Sequence, residues 1–597
     1  MNPEKIKERI ALYRSRMAEA GVDAALLPRT DAHLGEYLAD HWKIVRYLSG
    51  FTGSAATMVI TMDRALLWTD SRYFLQASIQ LEGTGVELMK DGLPDTPGIT
   101  EWITANMKPG QTLGLNGMLM SVSATASLRS ALSACGIKLN DNFEPIDLIW
   151  LDRPALPSAK AFVHDIRYSG EDTPSRMARV LDKVKAAGAD AYFTSALDEV
   201  AWIMNLRGKD VLHNLPVAHS FLYLAPEGSV LFIDFAKLTP EVEAHLEANG
   251  VKAAPYGDVL DFLGRIPADV KVLVSADRAS GAVATVLEGH VVVDESPVQL
   301  MKAIKNPVQI QGVRNAHVRD GVAMVRSIKE IKDTLDAGKT LTEIECADIL
   351  ERNRSTQDLY FDLSFDTISG FGPNAAIVHY TATPESNSVV KPGSLLLLDS
   401  GANYLDATTD ITRTISTGGA TPEMRHDFTL VMKGHIALAT AVFPEGTTGH
   451  QLDALARMPL WKEGKSYLHG TGHGIGLFLF CHEGPQSVRL NDTHAHLVPG
   501  MLTSNEPGLY LSGRYGIRCE NLVLTVPYET TEFGNFYAFE TVTLCPFDRT
   551  LFDLSIMTPD EIEWVNTYHR HVYDALAPHL TDEERAWLAA ETQPLSE

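Results

Sequence analysis

Cysteine is scarce. The 597 residues contain five (Cys135, Cys346, Cys481, Cys519 and Cys545), an odd number, widely scattered and never in CxxC spacing. That pattern excludes a disulfide framework and an all-thiolate zinc site, and it predicts a reducing, cytoplasmic setting. Long apolar runs are missing as well: no stretch approaches the ~20 apolar residues that would span a bilayer. The N-terminus lacks the apolar segment and cleavage site of a signal peptide. Instead Met1–Gly21 interleaves Lys5, Lys7, Arg9, Arg14 and Arg16 with Ile6, Ile10, Tyr13 and Met17, the spacing of an amphipathic helix. Positive charge is in deficit, with a formal net charge of −25 and no basic stripe. Such a surface repels phosphate backbones, so neither nucleic acid nor a membrane is an expected partner.

What is present is an ordinary globular composition, 45% hydrophobic and 21% charged, in a chain long enough for several domains at roughly 150 residues each. The first half repeats itself. An amphipathic helix leads to AGVDAALL at Ala20–Leu27 and another to AAGADAYF at Ala186–Phe193. Each copy passes a glycine turn, at Gly50 and Gly208, and then an apolar run closing on Asp70 or Asp234. An offset held at about 160 residues predicts two copies of one α/β domain. The proline-rich stretch Asp152–Ser158 reads as a linker, and Ser296–Pro297 with Asn306–Pro307 marks a second boundary before helical periodicity over Val308–Leu335. Domains are therefore expected at 1–155, 156–305 and 306–550, with a helical extension at 551–597. In the third, Thr421-Pro422-Glu423 starts a helix expected to run to Val442. Short strands around it (SLLLLDSG, ATTDITRTIS, MLTSNEPGLYL, GIRCENLVLTV) make this part α+β.

Five positions there carry chemistry: Asp399, Asp410, His473, Glu506 and Glu520. Asp399 ends the run Leu395–Leu398, where a carboxylate is costly unless paired, protonated or bound to metal. Asp410 lies in the next strand, and a hairpin through Gly401 and Asn403 would bring the two acids together. Glu506 precedes Pro507-Gly508, where a strand must stop, and Glu520 opens an alternating apolar run. His473 sits in His469-Gly-Thr-Gly-His473-Gly-Ile-Gly476, whose four glycines bring backbone close to something. Any one buried acid or histidine is commonly a hydrogen-bonded structural residue, and the glycine loop lacks the Lys-Ser/Thr ending of a P-loop. The specific signal is their co-occurrence. Four carboxylates and one imidazole favour Mn²⁺, Co²⁺ or Zn²⁺ over copper, and two such cations roughly 3.5–4 Å apart would use that many acids in a hydrolytic centre.

The motifs YLSGFTGSA, WTDSRYFLQA, LSFDTISGFGPNAAIVHY, LDSGANYLDATTDITRT, LHGTGHGIG, CHEGP, NEPGLY, YGIRCENLVL and ETQPLSE run along essentially the whole chain. In them the sequence resembles the three-domain, cytosolic-type Xaa-Pro aminopeptidases of the pita-bread metallopeptidase superfamily. The resemblance implies two creatinase-like N-terminal α/β domains and a pita-bread catalytic domain. It also implies removal of an N-terminal residue that precedes proline, by a water held between two metals, most commonly Mn²⁺. By the same resemblance Asp399 binds one metal, His473 and Glu506 the other, and Asp410 and Glu520 bridge both. Glu506 is then general base and acid, and His379 and His482 hold the substrate. His469 is a further active-site imidazole, Arg72 reaches the substrate, and Arg518 orients Glu520 beside it. Peptides with proline second are the implied substrates, and a homodimer the implied assembly. Two departures remove no ligand: Asp406-Ala407 stands where Asp-Gly is usual, and Cys519 where an aliphatic residue is usual; the latter reads as a plain buried thiol. Prolidase-like cutting of dipeptides, or a catalytically inactive binding protein of this fold, are the alternatives, and retention of all five ligands argues against the second.

Overall fold

The computed structural model of the protein describes residues 2–211 and 215–596. The chain forms two compact units, Met1–Asp165 with Glu171–Val298 and Ile166–Gly170 with Gln299–Glu597. In the first unit the expected N-terminal helix forms as α1 (Pro3–Glu19), with the Asn2 side chain capping the Glu4 N–H. Ile6, Ile10, Tyr13 and Met17 are all buried, as one helical stripe requires. Each contributes about 1.5–3 kcal/mol by burial, and a charge at Ile10 would break the stripe.

The sequence repeat takes physical form as two six-stranded sheets. The first contains β1 (Ala24–Pro28), β2 (Thr57–Thr61), β3 (Ala65–Thr69), β4 (Glu87–Lys90), β5 (Thr112–Gly114) and β6 (Lys138–Asn140), in the order β4-β3-β2-β1-β5-β6. The second contains β7 (Ala191–Thr194), β8 (Ser220–Leu224), β9 (Val230–Ile233), β10 (Lys252–Ala254), β11 (Val272–Ser275) and β12 (Val291–Asp294), in the order β10-β9-β8-β7-β11-β12. Strand senses match too. In each sheet the two pairings among the first three strands are antiparallel and the other three are parallel. Helix α2 (Thr173–Ala186) leads into β7 as α1 leads into β1. The central strands β3 and β7 are buried at every residue, as expected of strands covered on both faces.

The second unit opens with α3 (Gln299–Ala303) and the long helix α4 (Pro307–Asp336), which Asn306 and Gln309 start with a reciprocal capping box. Helix α5 (Pro422–Ala439) begins on Thr421, whose hydroxyl accepts the Met424 N–H. It stops before Val442, which starts β18 (Val442–Pro444) and pairs with Ala538; the β-branched residue goes to a sheet edge rather than to a last helical turn. Two sheets carry the site. One is three-stranded, with β14 (Leu395–Ser400) between β13 (Ile368–Phe371) and β17 (Ile411–Ser416). The other has the order β18-β25-β24-β21-β19-β20. Its members are β19 (Gly472–Gly474), β20 (Glu483–Val488), β21 (Leu502–Asn505), β24 (Asn521–Thr531) and β25 (Gly534–Thr541), besides β18. Helix α6 (Gly449–Trp461) packs on α5, and α7 (Pro559–Leu576) contributes Val565, Tyr568 and Val572 to the same core. No described helix is long and apolar enough to cross a membrane.

Candidate dimetal active site

Three of the five predicted ligands, Asp410, Glu506 and Glu520, lie just outside strands, where a side chain can leave the ladder; Asp399 is the penultimate residue of β14, and His473 sits at a break in the register of β19. Strand β14 pairs antiparallel with β17, Asp399 opposite Thr412 and Ser400 opposite Ile411. This is the predicted return of the chain, with a small hairpin of β15 (Ala402–Tyr404) and β16 (Ala407–Thr408) inside it. Asp410 lies in the gap between β16 and β17, not within a strand as expected. Glu506 follows the last residue of β21 and Glu520 precedes the first of β24. The pairing of Asn505 with Asn521 brings the two acids to the same end of the two strands.

His473 lies in the short strand β19, squeezed between β20 and β21. A Cβ at Gly472 would collide with the Ser504 carbonyl, and one at Gly474 with the Glu483 carbonyl. The glycines of this motif therefore admit neighbouring backbone and not a phosphate. The His473 Nε2 lies 3.3 Å from Glu506 Oε1 and 3.6 Å from Asp410 Oδ2. Asp410, His473 and Glu520 each offer an atom within 4.8 Å of the others.

The electrostatics divide the cluster. Burial, then the neighbouring carboxylates, raise Asp410 to about 6 and push Glu520 well above its ordinary range. Burial also raises Asp399 despite the guanidinium beside it. Burial would raise Glu506 too, but its hydrogen bond and charge contact with His473 outweigh this and hold it at about 2. Burial alone would lower His473, yet Glu506 and then Asp410 lift it to about 9. The protein alone thus supplies one imidazolium–carboxylate pair and three acids that resist ionising together.

Divalent cations fit this arrangement. Asp399 Oδ1 and Glu520 Oε1 are buried without a hydrogen-bond partner, and such atoms call for one. Three further oxygens are held by protein: Thr412 Oγ1 donates to Glu520 Oε2 at 2.8 Å, Ser504 Oγ to Glu506 Oε1 at 3.2 Å, and Cys481 Sγ to Asp410 Oδ2 at 3.0 Å. Metal uptake at pH 7 must displace the proton on His473. Calorimetric enthalpies of Mn²⁺ binding are therefore expected to differ between buffers by at least one proton's ionisation enthalpy. A buffer-independent enthalpy would contradict the charge assignment.

Arg518 differs from the sequence expectation. Its guanidinium grips Asp399 Oδ2, through Nη2 at 2.5 Å and Nε at 3.2 Å, and not Glu520. The strand that ends on Arg518, β23 (Tyr515–Arg518), hydrogen-bonds to Thr414 in β17 and so runs beside the Asp399 sheet. Arg518 Nη1 also donates to the Tyr510 hydroxyl at 2.7 Å. Tyr510 OH lies 2.8 Å from His469 Nε2, and His469 Nδ1 lies 2.7 Å from the Gly470 carbonyl. A carbonyl only accepts, so Nδ1 carries the ring proton and Tyr510 donates to Nε2. Burial lowers His469 to about 4, and it is a neutral link in this chain. Tyr510 escaped the sequence reading although it closes the NEPGLY motif; nothing local to it signals an arginine eight residues on.

The remaining predicted residues divide between the units. His482 packs edge-on against His473 with ring centroids 4.3 Å apart, and His379 stacks with His482 at 6.3 Å. These three imidazoles gather at the carboxylates. Arg72 belongs to the first unit, where it is held by Asp70 at 2.8 Å and Glu36 at 3.2 Å. Cys519 is fully buried in the core around α5 and α7, and burial raises its thiol to about 12, so it is inert packing.

The chain is similar to known proteins along its whole length. Residues 311–527 match the model of metallopeptidase family M24, and residues 535–595 that of its C-terminal region. Residues 9–148 and 152–309 each match a creatinase/prolidase N-terminal domain. A probable Xaa-Pro aminopeptidase P of Laccaria bicolor is 41% identical over 98% of this chain and 93% of its own. Aminopeptidase P2 of Arabidopsis thaliana is 38% identical over 99% and 89%. The crystal structure of an X-prolyl aminopeptidase from Caenorhabditis elegans, described as a cytosolic enzyme with a di-nuclear active site, superposes with a TM-score of 0.96 at 37% identity, covering 100% of both chains.

Proposed function

The chain belongs to metallopeptidase family M24, among its Xaa-Pro aminopeptidase P members, and on that footing we propose that it hydrolyses the bond between an N-terminal residue and a following proline. The observation that carries the reading is the buried group of Asp399, Asp410, His473, Glu506 and Glu520, with two carboxylate oxygens left for a cation. Asp399 would hold one divalent ion and His473 with Glu506 the other, and Asp410 and Glu520 would serve both. Mn²⁺ is the proposed occupant, with Co²⁺ and Zn²⁺ acceptable to the same donors. Such a pair supplies Lewis acidity and a water acidic enough to attack near neutral pH.

The chain's own residues do the rest. Glu506, as a carboxylate, accepts the proton of the attacking water and returns it to the proline nitrogen as the C–N bond breaks. His379 and His482 donate to the substrate carbonyl and stabilise the charge that grows on its oxygen. Arg518, Tyr510 and His469 keep Asp399 aimed. Arg72 is a further proposed contact to the peptide. An imide bond offers no N–H to a general peptidase. The acidic centre instead anchors the free amine, and the net charge of −25 favours cationic peptides. A cytoplasmic setting is proposed from the cytosolic relative and from cysteines that are all unpaired, and a homodimer from the sequence resemblance alone.

The test is product identity. With Mn²⁺, Co²⁺ or Zn²⁺ supplied, an Arg-Pro-Pro-type peptide should yield free arginine and the intact remainder. Cleavage of X-Pro dipeptides alone would make the protein a prolidase, and no cleavage with any metal would refute the proposal.

A further inference from the structure

Two lysines outside the catalytic motifs lie buried behind the site. Lys302 is 3% exposed and Lys305 4%, and a buried ammonium persists only where something compensates it. Lys302, at the end of α3, forms an ion pair with Glu483, itself 6% exposed. Lys305 donates to the Ile475 carbonyl at 2.7 Å and to the Lys302 carbonyl at 3.2 Å. The segment that carries them is anchored in turn: the Lys305 N–H bonds the Gly500 carbonyl at 2.9 Å, and Ile304 bridges to Met501 at the foot of β21.

The gripped positions are not arbitrary. Ile475 is two residues beyond His473, and Glu483 directly follows His482. The chain between them folds back on itself, the Gly476 N–H bonding the Phe480 carbonyl at 2.9 Å. The two histidines at its ends meet edge to face. Each arm of the loop that presents them therefore carries one lysine contact. We propose that Lys302 and Lys305 are positioning residues for the reaction, Lys305 setting His473 for the metal and Lys302, through Glu483, setting His482 for the substrate. The proposal rests on the functional reading above for the roles of those histidines. A displacement of about 1 Å in a catalytic group can cost about 10²-fold, and loss of a group that supports a metal ligand costs roughly 10–100-fold in affinity.

The two lysines predict different defects. Lys305→Met should weaken Mn²⁺ binding, read by calorimetry without substrate, by about 10–100-fold. The double variant Lys302→Met/Glu483→Gln removes both members of the ion pair together and leaves Lys305 on its two carbonyls. It should keep the wild-type melting temperature and Mn²⁺ affinity yet lose about 10²-fold in kcat/KM. Glu483→Asp keeps the charge pair but shortens its arm, and should lose activity in the same sense, so it decides the matter should the double variant fail to fold. Wild-type kcat/KM in Glu483→Asp, or in a folded double variant, would overturn the role of Lys302. Unchanged Mn²⁺ affinity in Lys305→Met would overturn that of Lys305. If the wild-type protein cleaved no X-Pro peptide the functional reading would fail, while the calorimetric arm would still judge the clamp on His473.

Discussion

Glu506→Gln is expected to lower kcat/KM on an X-Pro peptide by about 10²–10⁴-fold, the range for loss of a general base. Glu506 lies 3.3 Å from His473 among the ligand group, and its carboxylate can take a proton from water. Glutamine fills the same volume and can keep the contact with Ser504, but it cannot carry the proton from water to the leaving nitrogen. Steady-state kinetics at saturating Mn²⁺ separate this loss from weakened metal binding. A deficit of less than about tenfold would mean that another group moves the proton, since one decade is only about 1.4 kcal/mol.

Asp410→Asn should reduce turnover by about 10³-fold or more, because losing a bridging ligand forfeits Lewis-acid stabilisation of several kcal/mol. Its effect on the metal-free fold runs the other way. Burial and then Asp399 raise the Asp410 carboxyl from 3.8 to about 6, so the folded state holds this proton more tightly than the unfolded one. That contribution is complete below about pH 4 and is lost as pH rises through about 6. Asparagine removes the titration and can still accept from Cys481. The metal-stripped variant should therefore melt no lower than metal-stripped wild type at pH 7. Near-normal turnover would refute the bridging role, and a melting point several degrees lower would refute the cost assigned to the buried Asp410 charge.

These effects depend on residues whose positions were legible to very different degrees. The ligands could be read because each is a costly charge in an apolar strand or at a strand break, and such placements leave marks in the sequence: the four leucines before Asp399, the Pro-Gly after Glu506. The doubled sheet was legible for a similar reason, since its apolar runs recur at a fixed offset. Partners across the fold were not. Arg518 adjoins Glu520 in sequence, yet it serves Asp399 because β23 lies beside β17. Nor does anything near Lys305 announce Ile475, 170 residues away. Local chemistry shows which groups are expensive to bury, whereas the group that compensates them is set by strand register and loop packing. For the same reason the HGTGHGIG glycines were read as closeness to something, without the neighbouring strand that supplies it.

If these five side chains hold two cations that act together in hydrolysis, titration of metal-stripped protein with Mn²⁺ governs release of the first residue from an Arg-Pro-Pro-type peptide. Activity should be absent without metal and reach its plateau at two equivalents per chain. Full activity without metal, or a plateau at one equivalent, would contradict the account.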